Sequence, residues 1–207
     1  MKSLNNWLLV LSVLSCFGCS SPVHEDDRGC AFVSDSIQYR VEFMSAGCVR
    51  ILSFPEGDTL VTRRLVVDSE KPAFKDYKWE DTGQKLLFRT RELSVVFDKA
   101  DVAFTFQETS TGKLLLKEKG DRKARNFKRS VAGGEQCLEV TQRFVPTEDE
   151  AIYGLGQYQN GIMNYRGKSV LLLQANMDIV NPFLISTNGY GVLWDNCLLY
   201  TSPSPRD

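Results

Sequence analysis

Histidine is nearly missing from this chain: its 207 residues include one, His24. Because His24 precedes the first strand-like run, the domain proper has no imidazole, which excludes a Ser-His-Asp triad, a Cys-His pair and a histidine-ligated metal site there. A charge excess of one sign is also lacking. The chain carries 25 basic against 26 acidic residues, and that balance is not the electrostatic footprint of a nucleic-acid binder. No apolar run approaches the ~20 residues that cross a bilayer as a helix. No apolar stripe at a 3.6-residue period is long enough to support a core helix. Of the six cysteines, only Cys30, Cys48 and Cys137 lie outside the two ends of the chain, and their spacing matches no zinc site. A Cys30–Cys48 bridge is compatible with an oxidising compartment, but small buried thiols in a core account for these residues more simply, and no bridge is assigned. Nothing in the sequence implies a cofactor or a metal.

At the N-terminus, Lys2 precedes the apolar run Trp7–Leu14, and the small stretch Ser15-Cys16-Phe17-Gly18-Cys19 follows it, the pattern of a secretory signal. The end of this run resembles the bacterial lipobox, in which a cysteine after a small residue is diacylated and becomes the mature N-terminus. Cys19 after Gly18 is the expected lipidation site, and Cys16 after Ser15 is the alternative. Residues 1–18 are then a lipoprotein signal peptide and residues 19–29 a flexible tether. Glu25-Asp26-Asp27 is similar to the acidic tether of surface-displayed lipoproteins, although a solvated linker explains it as well. The expectation is a protein anchored by lipid, without spanning, at the bacterial outer membrane or in the periplasm. At the other end, Cys197–Asp207 shares no pattern with what precedes it and matches, codon for codon, a translated transposon mosaic-end sequencing adapter. Residues 197–207 are therefore read as a non-native tail, and residues 30–196 as one domain.

Within that domain the dominant signal is alternation. Ile37, Tyr39, Val41 and Phe43 fall on one face and Gln38, Arg40 and Glu42 on the other, the period of a half-buried strand. Ser45-Ala46-Gly47 turns the chain into Cys48–Phe54, and Pro55-Glu56-Gly57-Asp58 closes that run with turn chemistry. Similar units follow at Leu60–Val67, Lys85–Arg89, Leu93–Phe97, Val102–Phe106, Lys113–Lys117 and Cys137–Phe144. The basic stretch Lys117–Arg129 reads as a solvated loop. Short strands in close succession, with turn residues between them, predict an all-β antiparallel sandwich.

The block Glu150–Asn196 is the most informative. It contains Tyr153-Gly-Leu-Gly-Gln157, Gly161-Ile-Met-Asn-Tyr-Arg-Gly167, Leu173-Gln-Ala-Asn176, Pro182-Phe183 and Asn188-Gly-Tyr-Gly-Val-Leu-Trp-Asp-Asn196. The glycines flanking Leu155 and Tyr190 permit positive φ or close backbone approach at a strand start. A phosphate-binding reading of Gly154-Leu-Gly156 is poor, because no third glycine opens a helix. Gln157, Gln159, Asn160, Asn164, Arg166, Gln174, Asn176 and Asp178, with Tyr158 and Tyr165, mix donors, acceptors and rings as a sugar-facing loop does. Taken by themselves they fit better as a surface loop that caps its own turns. In order and spacing the whole block resembles the end of the N-terminal domain of family 31 glycoside hydrolases, and looser strand matches extend that resemblance over nearly all of the natural chain.

The resemblance implies a galactose mutarotase-like supersandwich whose partner, the family's (β/α)₈ catalytic barrel of ~250 residues, is absent from this chain. It implies a retaining α-glycosidase acting on an oligosaccharide substrate, closest to α-xylosidases that trim xyloglucan, with α-glucosidase as the competing activity. Retaining chemistry needs two carboxyl groups about 5–5.5 Å apart, and in this family both are barrel aspartates. No catalytic residue is therefore assigned here, and the isolated domain is expected to be inactive. Because the family loop before the Pro-Phe strand leans over the active-site mouth, Gln174, Asn176 and Asp178 are the expected substrate-binding residues. A stand-alone carbohydrate-binding surface lipoprotein is the alternative reading. A mutarotase acting on free sugars fits the sandwich but lacks the histidine such sites use.

Overall fold

The computed structural model describes residues 22–58, 73–132, 134–174 and 178–195. Cys16, Cys19, the Leu60–Val67 run, Asn176 and the tail 197–207 lie outside the described residues. Fifteen strands and no helix appear among the described residues. In chain order they are β1 His24–Glu25, β2 Cys30–Ser34, β3 Ile37–Ser45, β4 Cys48–Pro55, β5 Lys78–Asp81, β6 Lys85–Arg89, β7 Leu93–Asp98 and β8 Ala103–Glu108. They continue with β9 Leu114–Glu118, β10 Arg125–Ala132, β11 Glu135–Gln142, β12 Phe144–Val145, β13 Ile152–Gln157, β14 Ile179–Ser186 and β15 Tyr190–Leu193.

Alternating aromatic and β-branched residues fit a pleated, half-buried surface, and two main sheets follow from it. One has four strands in the order β1-β2-β3-β4, and the other six in the order β12-β9-β8-β7-β6-β5. The expected turn at Ser45–Gly47 is present, with Ser45 paired to Cys48 across Ala46-Gly47. Tyr39, Val41 and Phe43 of β3 point inward with Phe32 of β2 and meet Leu86, Phe88, Val95, Phe97 and Phe104 of the larger sheet. Phe97 is central, with ring centroids 4.8 Å from Phe32, 5.1 Å from Tyr39 and 4.9 Å from Phe104. Tilted packing of this kind adds about 0.5–1.5 kcal/mol per pair beyond the burial itself.

Three sequence expectations need correction. The first concerns Lys117–Arg129, which is a solvated loop only in part: residues 119–123 are exposed, but β10 begins at Arg125, and the Arg125 side chain is 3 % exposed against a fully buried Glu118. Charge runs usually mark solvated faces, but here Glu118 supplies the interior counter-charge that lets one arginine turn in. The second concerns residues 19–29. His24–Glu25 forms a strand that pairs with Cys30 and Ala31, so the fold begins ahead of residue 30. The third concerns the thiols. Cys30 is buried and free, but Cys48 and Cys137 are exposed and free, so only one of the three is a core thiol.

The polar face of β3 also differs from a solvent face. Glu42 is 1 % exposed, and Arg50, its cross-strand neighbour on β4, lies 3.9 Å from its carboxylate while bonding Asp195 beyond β15 at 2.9 Å. The smaller β10–β11 ribbon and the three-stranded sheet β13-β14-β15 complete the structure.

Candidate functional site

The Tyr-Gly-Leu-Gly turn sits in β13. Gly154, Leu155 and Gly156 have φ of +100°, +66° and +115°, a run of left-handed backbone that the two glycines make affordable and that Leu155 adopts at a cost. The central strand β14 approaches closely as a result. A Cβ on Gly154 would lie 2.5 Å from the Phe183 carbonyl oxygen, and one on Gly156 would lie 2.0 Å from that of Ile179. Register explains the adjacent proline. Gly154 pairs with Leu184 and Gly156 with Val180, so Asn181-Pro182-Phe183 lies opposite Leu155 alone. A proline cannot donate to a ladder and is tolerated in a sheet mainly at such irregularities. On the other side its carbonyl still accepts the Trp194 N–H at 2.8 Å.

Glu150 fastens the entry to this sheet. It is 3 % exposed. Its Oε1 accepts the Ser186 hydroxyl at 2.5 Å and the Tyr190 hydroxyl, and its Oε2 accepts the Thr147 N–H at 2.8 Å. Burial pushes the Glu150 carboxyl up, but these donors outweigh it and hold the group below its ordinary value. The same contact raises the Tyr190 phenol, after burial itself. Sequence reasoning missed Glu150. Its place two residues ahead of β13 gave no signal, since a lone glutamate carries no motif.

The polar loop after β13 is occupied with its own backbone. Asn164 Oδ1 accepts the N–H groups of Ile152 at 3.1 Å and Arg166 at 3.0 Å. Arg166 Nη1 donates to the carbonyls of Thr147 at 2.6 Å and Glu150 at 2.8 Å. Asn160 caps the Ile162 N–H, and the Tyr158 hydroxyl donates to the Leu155 carbonyl. Of the expected substrate-binding residues, Gln174 works in the same way: its Nε2 donates to the Asp178 carbonyl at 2.9 Å and its Oε1 accepts the Val180 N–H at 3.1 Å. Gln174 and Asp178 are thus brought together at the mouth of β14, and Asn176 lies outside the described residues.

Two surfaces remain for contact with something else. A cleft of about 430 Å³ opens beside the bulge, with Tyr153, Gln157, Tyr158, Met163 and Tyr165 among its lining residues. The outward face of β13–β15 is apolar except at Asn181. Ile179, Asn181, Phe183 and Ile185 alternate along β14, the three apolar ones at 56 %, 37 % and 50 % exposure, with Tyr153 and Leu193 beside Ile185 and Phe183 in register.

This arrangement of sandwich, bulged strand and Pro-Phe strand has known counterparts. The family described as glycosyl hydrolase 31 N-terminal galactose mutarotase-like domain matches residues 38–198. The chain belongs to this family. It is 33 % identical over 176 residues to an α-xylosidase of Saccharolobus solfataricus, an alignment covering 78 % of this chain and 22 % of that protein. Over 72 residues, 35 % of this chain and 13 % of the other, it is 40 % identical to an uncharacterized family 31 glucosidase of Pseudescherichia vulneris. Among solved structures, the GH31 α-xylosidase of Xanthomonas citri superposes with a TM-score of 0.73 at 30 % identity, over 84 % of this chain and 19 % of that one. A GH31 dextranase of Flavobacterium johnsoniae shares the fold at a TM-score of 0.63 and 18 % identity, over 85 % of this chain and 22 % of its own. The galactose mutarotase-like sandwich is therefore the fold of this GH31 domain, and the chain spans about a fifth of the α-xylosidases it matches, without their barrel.

Proposed function

We propose that this chain is the N-terminal domain of an exported, lipid-anchored retaining α-glycosidase, and that its β13–β15 face packs on a catalytic barrel and walls one side of the substrate pocket. The observation that carries this reading is the exposed apolar stripe of Ile179, Phe183, Ile185, Leu193 and Tyr153. Tyr153, Phe183, Ile185 and Leu193 are neighbours across three strands, and soluble proteins seldom leave such a cluster exposed without a partner. α-Xylosides of xyloglucan-type oligosaccharides are the favoured substrates because α-xylosidases stand among the relatives by sequence and by structure, and α-glucosides are the alternative. In this reading the barrel supplies both catalytic carboxyl groups. Asn176 and Asp178 hydrogen-bond the sugar at the pocket mouth, and Gln174 holds their loop in place. Cys19 carries the lipid.

The test compares two proteins, this chain and the complete enzyme containing it. The chain alone releases nothing from aryl α-xylosides or α-glucosides, whereas the complete enzyme does. Ile185→Thr with Leu193→Thr changes the stability of the chain alone by no more than about 0.5 kcal/mol per site, as exposed positions do. The same pair lowers both stability and activity of the complete enzyme. Hydrolysis by the chain alone, or a complete enzyme indifferent to the pair, overturns the proposal. Saturable glycan binding by the chain alone points instead to a stand-alone binding lipoprotein.

A further inference from the structure

The acidic stretch after Cys19 is built into the sandwich. Val23 packs against the core, and His24 and Glu25 pair with Ala31 and Cys30 as the edge strand of the four-stranded sheet. The Glu25 carboxylate then crosses to the other sheet, accepting the Trp79 indole N–H at 2.9 Å and the Tyr77 hydroxyl at 3.1 Å. Trp79 lies in β5, the edge strand of the six-stranded sheet, so Glu25 closes the open seam between the two edges. Tyr77 is itself held by stacking on Phe43 at 5.0 Å.

Asp26 adds a second fastening. Arg40 grips its carboxylate with both guanidinium nitrogens, at 2.8 and 2.6 Å, and the N–H groups of Arg28 and Gly29 converge on Oδ1. Lys75 Nζ holds the Asp26 carbonyl at 3.1 Å. Gly29 is required for the docking, since a Cβ there would lie 2.1 Å from the Val41 carbonyl oxygen. Two of the three acids of the expected tether are therefore consumed by the fold.

We infer that Val23–Gly29 is a rigid mount that presents the β1–β5 seam of the sandwich to the lipid surface carrying Cys19. This inference rests on the lipid-anchoring reading proposed above. Covalent reach sets an upper limit of ~3.3–3.6 Å per residue: four residue steps from Cys19 to Val23 can span at most about 14 Å, against at most about 40 Å had the chain been free as far as Cys30. A domain so held keeps Val23, and the seam next to it, within that shorter reach of the anchored cysteine.

The test uses the full chain, exported and purified from membranes. Acyl label should enter the wild-type protein and be lost in Cys19→Ala. Hydrogen exchange in vesicle-bound protein should be slowed about tenfold or more over residues 24–30 relative to an unstructured peptide, and Glu25→Gln with Asp26→Asn should abolish that protection while leaving exchange in β7 and β8 unchanged. In vesicles containing dansyl-headgroup lipid, with Trp194→Phe as background, energy transfer from Trp79 should fall at least twofold when a ten-residue Gly-Ser spacer is inserted after Ser21. Absence of acyl label overturns the anchor. Free exchange over residues 24–30 overturns the mount whatever the label shows, and transfer indifferent to the spacer overturns the placement of the seam.

Discussion

Replacing Arg125 with methionine should be among the most damaging single changes in the sandwich, for a reason that can be worked through atom by atom. Glu118 is fully buried, and its Oε2 accepts Arg125 Nη1 at 2.8 Å and the Phe104 N–H at 2.9 Å. Its Oε1 accepts Arg125 Nη2 and Gln142 Nε2, the latter at 2.6 Å. The guanidinium also lies 5.3 Å from the Tyr39 ring centroid and 5.1 Å from that of Phe104, a cation–π contribution that methionine keeps only as packing. Burial pushes the Glu118 carboxyl up, against the pull of Arg125 and the other donors. With Arg125 gone, only the Phe104 N–H and Gln142 oppose desolvation, no counter-charge remains, and an unpaired buried charge costs about 3–5 kcal/mol. A folded-state pKa raised above the unfolded value penalises the charged form, so the deficit relative to wild type should be small near pH 4, where both states are protonated, and full near pH 7. Glu118→Leu with Arg125→Met removes both charges but leaves the Phe104 N–H and Gln142 without their acceptor, worth about 1–3 kcal/mol, so the double variant should recover part of the loss. Urea unfolding at pH 4.5 and pH 7 with constant m-values is the assay. A deficit below 1 kcal/mol at pH 7, or one that does not shrink in acid, would refute the reasoning.

Gly156→Ala forces a Cβ to within 2.0 Å of a carbonyl at φ +115°, whereas Gly112→Ala at φ +71° meets open space. Thermal melts should show about 1–2 kcal/mol for Gly112→Ala and a clearly larger loss for Gly156→Ala; equal losses would remove the close approach as a cause. Glu150→Gln places an amide donor among four donors, the Ser186, Tyr190 and Thr147 hydroxyls and the Thr147 N–H, and a loss of about 1–3 kcal/mol should appear in urea titration, while no loss would show that the Ser186–Tyr190–Thr147 cluster is incidental. Asp26, held well below its ordinary value by Arg40, and Glu150, held below it against burial by its donors, both contribute stability above their unfolded pKa values. That stability should fall as pH drops below about 4, and Asp26→Asn should flatten the acid limb of a melting-temperature profile. Burial pushes the Cys30 thiol up to about 11, so iodoacetamide at pH 8 should label exposed Cys137 and leave Cys30 untouched until the protein unfolds.

What was legible in the sequence was whatever a period of two or a backbone demand writes into it. The inward faces of β3, β7 and β8 were readable because their side chains alternate, and the Gly-Leu-Gly bend because positive φ needs glycine. Glu118–Arg125 and Glu42–Arg50 were not readable: each is a pairing across strands, and nothing local distinguishes a buried glutamate from an exposed one. The mount was misread for a related reason. Glu25-Asp26-Asp27 looks like solvated charge in one dimension, and only the third dimension brings Trp79, Tyr77 and Arg40 to it.

The same contrast bears on how the β13–β15 sheet keeps an apolar face exposed. The residues that make the Glu150–Asn196 block recognisable serve its geometry: Gly154 and Gly156 admit β14, Asn164 and Arg166 tie the loop to its own strand, and Gln174 bonds the Asp178 and Val180 backbone. The sheet they build is secured at both ends. Asn188 Nδ2 donates to the Leu114 and Leu115 carbonyls at 2.9 and 2.7 Å, fastening the β14–β15 turn to the six-stranded sheet, and Asp195 meets Arg50 on the four-stranded sheet. An apolar face held from two sides cannot collapse onto its own domain. Its apolar side chains stay in contact with water, a cost that covering by another surface would recover.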